Sequence, residues 1–330
     1  MFLGYIHYFR ALAILFIVAG HSIDALVWND NPLTGDLLRI YISNGSTLFV
    51  FIAGYLFQHL GHKFSAGRYY RAKLKNVILP YLLVSIPAIV VFTVFTEREI
   101  VPAGLYDQPV WMQVLMFYAT GRHLTPLWFV PMITLFYLVG PLLIRADRDT
   151  RIYYGLPVFM LISCLNARGL PYESFVHFFS VYLLGMWASH YKERLNPLIS
   201  GLPFLLVAAV LINAFAVSEL VFMESTMTWL NYLQKTTLSL FFLGLFYRFN
   251  EHLDSPFVSY VADVSFGVFF IHSYFLTANK MAYTHLTGTL PEGNLFIYVP
   301  VALVTLFACV LMIHIIKKLT GRHSRMLVGS

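Results

Sequence analysis

The chain has 330 residues and a formal net charge of +6, and 58% of its residues are hydrophobic while only 12% are charged. Soluble domains carry about 25% charged residues, so this composition excludes an ordinary soluble domain. A bilayer solvates apolar side chains directly, and the 17% of aromatic residues suits membrane interfaces. We therefore predict an all-α, polytopic membrane protein in which residues 1–330 form a single transmembrane domain.

Ten apolar segments approach the roughly 20 residues that a membrane-spanning helix needs. They are residues 5–27, 37–60, 77–96, 126–144, 152–168, 175–190, 198–217, 234–249, 257–279 and 295–316. The shorter apolar segment Val110–Thr120 is expected to lie at the interface or to dip into the membrane. The first segment is expected to be a retained span, because His7 and Arg10 interrupt the apolar core that a signal peptide needs.

The basic residues fall unevenly on the two sides that ten alternating spans define. One side receives fifteen, namely Lys63, Arg68, Arg71, Lys73, Lys75, Arg145, Arg148, Arg151, Lys192, Arg194, Arg248, Lys317, Lys318, Arg322 and Arg325. The other side receives six, namely Arg39, Arg98, Arg122, Arg168, Lys235 and Lys280. Loops rich in Lys and Arg stay in the cytoplasm, so we predict that both termini are cytoplasmic. Topology thus accounts for the net positive charge, and no nucleic-acid partner is expected.

The first predicted span carries the most informative polar residues. Arg10 and His21 are eleven residues apart, which places both on one helix face, about 16 Å apart along the axis. Asp24 follows His21 by three residues and lies within its reach on the next turn. A His beside a carboxylate is the usual arrangement of a general base, because the carboxylate fixes the tautomer while the free ring nitrogen takes a proton from a hydroxyl.

The same residues also have a purely structural interpretation. His21 can be a packed histidine that hydrogen-bonds to another helix, and Arg10 can extend to the cytoplasmic interface to keep its charge in water. A charge inside a span costs about 2.5–3.5 kcal/mol on the insertion scale, which favours a function. The spacing by itself leaves both interpretations open.

The densest basic stretch is Lys63–Lys75, which is predicted to be a cytoplasmic loop. Its Arg68, Arg71 and Lys75 can bind the phosphates of a nucleotide-like cofactor or of lipid headgroups, although topological anchoring is the simpler explanation of these charges. His272, in the ninth predicted span, is by itself more typical of hydrogen-bonded packing than of catalysis. The two cysteines have no metal-ligand spacing, so no metal site is expected.

Motifs at five places follow one another in a recognisable order. They are the Arg10–His21 pair, the Phe-rich segment Leu48–Leu56, Arg68-Tyr-Tyr-Arg71, Leu127–Val130 and Ser265–His272. In this order, and with ten spans, they resemble the motifs of the acyltransferase-3 family, whose multi-pass members usually acetylate sugars of cell-surface glycans. The chain departs from the family pattern at Ala53, where a Ser is frequent, and at Phe269, where a Tyr is frequent.

The resemblance implies roles for several residues. It makes His21 the catalytic histidine, Arg10 a site residue, and Trp128 and His272 possible site residues. It also makes Arg68 and Arg71, with Lys75 in the same basic stretch, contacts for a cytoplasmic acyl-coenzyme A donor, usually acetyl-CoA. No permanently bound cofactor is implied. The expected partners are membrane lipid and a glycan or lipid-linked saccharide acceptor, and the expected location is the plasma membrane, the inner membrane of a bacterium.

The resulting hypothesis is an O-acyltransferase, by default an O-acetyltransferase, in which His21 acts as general base and Asp24 or another carboxylate orients it. A covalent acyl relay is an alternative route for the same reaction. A transporter or flippase for a lipid-linked sugar is an alternative function, because ten spans and intramembrane charges fit it as well. The lack of visible inverted repeats, which many transporters carry, favours the enzyme.

Overall fold

The computed structural model describes residues 3–222 and 229–330. This part of the chain is helical throughout, without a strand, and an isolated β-bridge joins Val27 to Glu292. The predicted all-α class is therefore confirmed. The α-helices are α1 Gly4–Ile23, α2 Pro32–Ile42, α3 Ser46–His59, α4 Ala66–Lys73, α5 Leu79–Val90, α6 Val110–Thr120, α7 Phe129–Asp149, α8 Leu156–Leu165, α9 Pro171–His190, α10 Lys192–Ile199, α11 Leu202–Phe222, α12 Trp229–Arg248, α13 Pro256–Thr287, α14 Leu295–Thr320 and α15 Ser324–Leu327.

Seven helical segments within these ranges are long and apolar enough to cross a membrane. They are Gly4–Ile23, Pro32–His59, Ala66–Phe95, Thr125–Asp149, Leu202–Phe222, Pro256–Thr287 and Leu295–Thr320. The remaining predicted spans fall on α8, which is short, and on α9 and α12, which carry polar residues such as Glu173 and Lys235. The protein is a multi-pass membrane protein by these helices, and the count of ten spans stays a prediction.

The second predicted span is interrupted in the structure. It divides into α2 and α3 at residues 43–45, and Asn44 has a φ of 63°. Asn is one of the few residues that adopt this left-handed conformation readily, and the run Ser43-Asn44-Gly45 consists of weak helix formers. The break leaves polar backbone inside the bundle, which is tolerated only where the backbone is buried in protein or lines a cavity.

The prediction of a loop over Lys63–Lys75 is wrong for most of its length. Helix α4 and a π-helical turn at Leu74–Ile78 join α5 without a break, so that Ala66–Phe95 is one continuous helical segment. Every residue between Gly67 and Pro80 permits a helix, and most of them favour one. In this helix Arg68, Arg71 and Lys75 follow an i, i+3, i+7 spacing and therefore share one face.

Close contacts between glycines and neighbouring helices fix the packing around the centre of the bundle. A Cβ atom on Gly54 of α3 would collide with the carbonyl oxygen of Tyr182 on α9, and one on Gly185 of α9 would collide with that of Phe51 on α3. Such small residues let the backbones of membrane helices approach closely. Gly54 in the Phe-rich motif is thus explained by helix packing, and α3 is held firmly against α9.

Contacts between connecting segments support the predicted alternation of sides. Residues predicted on the positive side meet each other, as His190 Nδ1 does with Asp147 Oδ1 at 2.9 Å. Residues predicted on the opposite side also meet each other, as Asn31 Nδ2 does with the carbonyl oxygen of Gly293 at 3.0 Å. Which of the two ends faces the cytoplasm stays a prediction.

Candidate active site

Cavities open near both ends of α1. At the end where α1 finishes, a cavity of about 340 Å³ is lined by His21, Asp24, Arg39, Trp128, Phe129 and Arg168, together with the break between α2 and α3. We call it the His21 cavity. Near the beginning of α1 lie an inner cavity of about 790 Å³, which Arg10 lines, and an outer basic cavity of about 690 Å³. The sequence-predicted site residues therefore divide into two groups.

His21 meets the other predicted histidine. The ring centroids of His21 on α1 and His272 on α13 are 5.3 Å apart. Nδ1 of His272 donates a hydrogen bond to the carbonyl oxygen of Val268 at 3.0 Å, so its Nε2 is the nitrogen with a free lone pair. This Nε2 is buried and has no hydrogen-bond partner among the described residues. Two motifs from opposite ends of the chain thus form one pair of imidazoles.

The expected partnership between Asp24 and His21 is replaced by another. Asp24 lines the His21 cavity, but its carboxylate pairs with Arg39 of α2, with 3.8 Å between Oδ1 and Nη2. Both side chains of this ion pair are substantially exposed, so the pair is weak. No hydrogen bond joins Asp24 to His21 in the described structure. The two residues are three positions apart as expected, but the carboxylate pairs with a cation on a neighbouring helix.

Arg168 is a residue of the His21 cavity that sequence reasoning treated only as a loop cation. Its guanidinium carbon lies 5.6 Å from the ring centroid of Trp128, and its Nη atoms donate to Asn44 Oδ1 and, at 3.5 Å, to Ser46 Oγ. These hydrogen-bond partners are neutral, and none of the ion pairs found in residues 3–222 and 229–330 includes Arg168. A positive charge without a counter-ion therefore faces the same cavity as His21.

A buried polar chain fixes Arg168 and the helix break. Asn44 donates to Asn231 Oδ1 at 2.6 Å, and Asn231 donates to Glu219 Oε2 at 3.1 Å. Beside it, Lys235 Nζ donates to the carbonyl oxygens of Ile40 and Tyr41, the last carbonyls of α2, at 2.8 and 2.6 Å. These hydrogen bonds tie the break between α2 and α3 to α11 and α12. In the sequence, Glu219 lies two residues beyond the predicted span 198–217, and Lys235 lies at the start of the predicted span 234–249.

Arg10 is anchored in the bundle and does not extend to an interface. Its Nε donates to Ser265 Oγ at 3.1 Å, and its Nη2 donates to the carbonyl oxygen of Ala262. Both acceptors lie on α13, about two and three turns before His272. Arg10 therefore ties α1 to the helix that carries the second histidine, and it lines the inner cavity.

The predicted phosphate-binding residues do come together. Arg68, Arg71 and Lys75 line the outer basic cavity, and Arg68 also lines the inner cavity with Arg10. The inner cavity is aromatic, with Phe57, Phe64, Tyr69 and Tyr137 in its wall. The two cavities therefore offer a cationic outer part and an apolar inner part.

The inner cavity and the His21 cavity share the ring of Phe129 as a wall. This ring lies 5.4 Å, centroid to centroid, from that of Phe269, which also lines the His21 cavity. Both side chains are buried. The aromatic pair therefore separates a basic, aromatic cavity at one end of α1 from a histidine cavity at the other.

Comparison with known families gives a match over most of the chain. The model of the acyltransferase-3 family, described as an acyltransferase domain, matches residues 3–314. The match covers nearly the whole chain, and the chain belongs to this family of membrane acyltransferases. No curated protein and no solved structure matches the chain.

Proposed function

We propose that the protein is an O-acyltransferase of the plasma membrane, by default an O-acetyltransferase. It moves an acyl group from cytoplasmic acyl-CoA to a hydroxyl of a cell-surface or lipid-linked saccharide. The observation that carries this proposal is the pairing, along α1, of a cationic cavity with a histidine cavity. A direct transfer between two substrates on opposite sides of a membrane needs both.

The donor enters from the cationic end. Guanidinium groups bind phosphates through charge-assisted hydrogen bonds, so Arg68, Arg71 and Lys75 hold the phosphates of coenzyme A. The acyl-pantetheine arm occupies the aromatic inner cavity and extends past Arg10. Arg10 and His21 are about 16 Å apart along the helix, which is the depth that the arm has to cover. The thioester reaches His21 when the Phe129–Phe269 pair moves aside.

The chemistry takes place in the His21 cavity. One ring nitrogen of His21 takes the proton of the acceptor hydroxyl as its oxygen attacks the thioester carbon. The carbon–sulfur bond then breaks, and the coenzyme A thiolate leaves and recovers the proton from the imidazolium. A base of this kind contributes typically ~10²–10⁴-fold to the rate.

Two neighbours assist His21 in this scheme. The Nε2 of His272 lies beside His21 and has no hydrogen-bond partner among the described residues. During the reaction it would accept the N–H of His21, in the role first expected of Asp24, and so leave the other His21 nitrogen unprotonated. Arg168 stabilises the negative charge that develops on the thioester oxygen, and its side chain is held in place before the reaction by Asn44 and Ser46. Such preorganised charge is usually the largest electrostatic contribution to catalysis.

Mass spectrometry of surface glycans tests the proposal. Cells that express the protein should carry acylated sugars, and cells that express His21→Ala should lack them. The purified protein should also be stabilised against heat by acetyl-CoA. Transport of the unmodified saccharide without acylation, together with no stabilisation by acetyl-CoA, would instead support a transporter.

A further inference from the structure

Part of the outer basic cavity is built by residues that follow the family-matched region. Lys317 in the last turn of α14, and Ser324 and Arg325 of α15, line the cavity opposite the α4 face. The family match ends at residue 314. In the sequence, Lys317 and Arg325 counted only as basic residues of the cytoplasmic side. Topology alone does not explain why they line the same cavity as Arg68 and Arg71.

The segment after α14 is docked firmly against the bundle. Ser324 Oγ donates to the carbonyl oxygen of Ser330 at 2.5 Å, and both residues are buried. Gly329, whose φ is 80°, packs against Phe266 and Phe270 of α13 so closely that a Cβ atom would contact both rings. Arg325 is therefore held over the cavity by a folded segment.

The charge in this cavity is unbalanced. Five cations line it, namely Arg68, Arg71, Lys75, Lys317 and Arg325, and no Asp or Glu side chain is among the lining residues. None of the ion pairs within residues 3–222 and 229–330 involves any of the five. Like charges that line one cavity repel one another, and bound anions relieve this repulsion. Several cations in one cavity match a ligand with several phosphate charges.

We infer that Lys317 and Arg325 complete the binding site for the donor's phosphates, so that the site selects a nucleotide-borne, polyphosphate thioester over a thioester with few phosphates. This inference rests on the proposed function. Arg325 lines both the outer and the inner cavity, as Arg68 does. The two arginines therefore stand at the passage where the phosphates end and the pantetheine arm begins.

Binding measurements on the purified full-length protein in neutral-lipid nanodiscs test the inference. The probes are coenzyme A and pantetheine, which shares the thiol arm but carries no phosphate. In the variant Lys317→Gln/Arg325→Gln we expect the Kd for coenzyme A to rise at least tenfold, because a lost charge-assisted hydrogen bond costs about 1.5–3 kcal/mol and 1.4 kcal/mol is tenfold. The weaker binding of pantetheine should not change.

Lys318→Gln is the matched control. Lys318 is the neighbour of Lys317, is exposed, and does not line the cavity. Its substitution should leave the Kd for coenzyme A unchanged. An unchanged Kd in the double variant, with a raised Kd in Arg68→Ala/Arg71→Ala, would overturn the inference and leave the proposed donor site intact. An unchanged Kd in both would overturn the proposed donor site as well.

A second arm separates the soluble donor from lipid headgroups, which also carry phosphate. The same measurements are repeated in nanodiscs that contain phosphatidylglycerol. If the cavity binds the donor, phosphatidylglycerol should change the Kd of the wild-type protein for coenzyme A by less than the double substitution Lys317→Gln/Arg325→Gln does. The contrary result is that phosphatidylglycerol abolishes the binding of coenzyme A to the wild-type protein but not to the double variant. The cavity would then be a lipid-binding site, and the inference would be wrong.

Discussion

The imidazole ring of His21 on α1 lies against that of His272 on α13, with 5.3 Å between the ring centroids. The second ring is fixed by its hydrogen bond to the Val268 carbonyl, which leaves its Nε2 without a described partner. Arg10 joins the same two helices closer to the other end of α1, through Ser265 and Ala262. The helices α1 and α13 are therefore joined at two levels, once by the histidine pair and once by Arg10.

His272→Gln should lower kcat by about 10–100-fold, the range seen when a group that orients a metal-bound histidine is removed. The KM for acyl-CoA should not change, because His272 lines neither of the two cavities near the beginning of α1. Steady-state kinetics of the purified enzyme measure both. His314→Gln, on a histidine at the exposed face of α14, is the control and should behave as wild type. A rise in the KM for acyl-CoA with an unchanged kcat would contradict this role and mean that His272 supports the fold or the access of the donor.

Arg168→Gln should reduce kcat by about 10²–10³-fold, as the loss of one preorganised oxyanion donor does. Arg168→Lys should recover only part of this loss, since it keeps the charge but loses the planar fork held by Asn44 and Ser46. Single-turnover acyl transfer is the measurement, and Lys280→Gln is a control on the same predicted side. Full activity of the Arg168→Gln variant would contradict this prediction and show that Arg168 has only a structural role.

Arg68→Ala/Arg71→Ala should raise the KM for acyl-CoA by about tenfold or more per hydrogen bond lost, with kcat changed much less. The reason is that these side chains hold phosphates remote from the reacting atoms. Arg148→Ala is the control, because Arg148 is exposed and predicted on the same side. An unchanged KM would return the α4 face to the role of a topological anchor.

Labelling with a membrane-impermeant thiol reagent should find Asn31→Cys accessible from outside the cell and Ser65→Cys shielded. The background would be Cys164→Ala/Cys309→Ala, which removes the two native thiols. The expected pattern follows from the fifteen-to-six bias of basic residues. The opposite pattern would invert the topology and place the cationic cavities outside the cytoplasm.

Local patterns predicted much of this architecture. Helical periodicity placed Arg10 and His21 on one face, because this relation depends only on helix geometry. The common face of Arg68, Arg71 and Lys75 was not predicted, because the stretch that carries them was taken for a loop. The break at Asn44 also had a local signal, in the run Ser43-Asn44-Gly45. It was missed because the flanking apolar residues alone are long enough to read as one span.

Relations between distant segments were not predictable in the same way. Asp24 has a nearby histidine in sequence, yet it pairs with Arg39, whose position depends on how α2 packs. Arg168 contacts Asn44 and Trp128, and the three residues lie in three different connecting regions. The periodicity of a single helix cannot predict contacts of this kind. The motif resemblance indicated that His21 and His272 both matter, but only the packing of α1 on α13 shows that they meet.

The most direct test of the mechanism is His21→Gln, assayed for both acyl transfer and donor binding. Glutamine retains some hydrogen bonding but cannot cycle a proton, so turnover should fall by ~10²–10⁴-fold. Calorimetric binding of coenzyme A should stay at the wild-type Kd, because His21 lies about three helical turns from Arg10 and deeper than the phosphate-binding residues. Near-wild-type turnover in His21→Gln would contradict the account and make the imidazole a structural group.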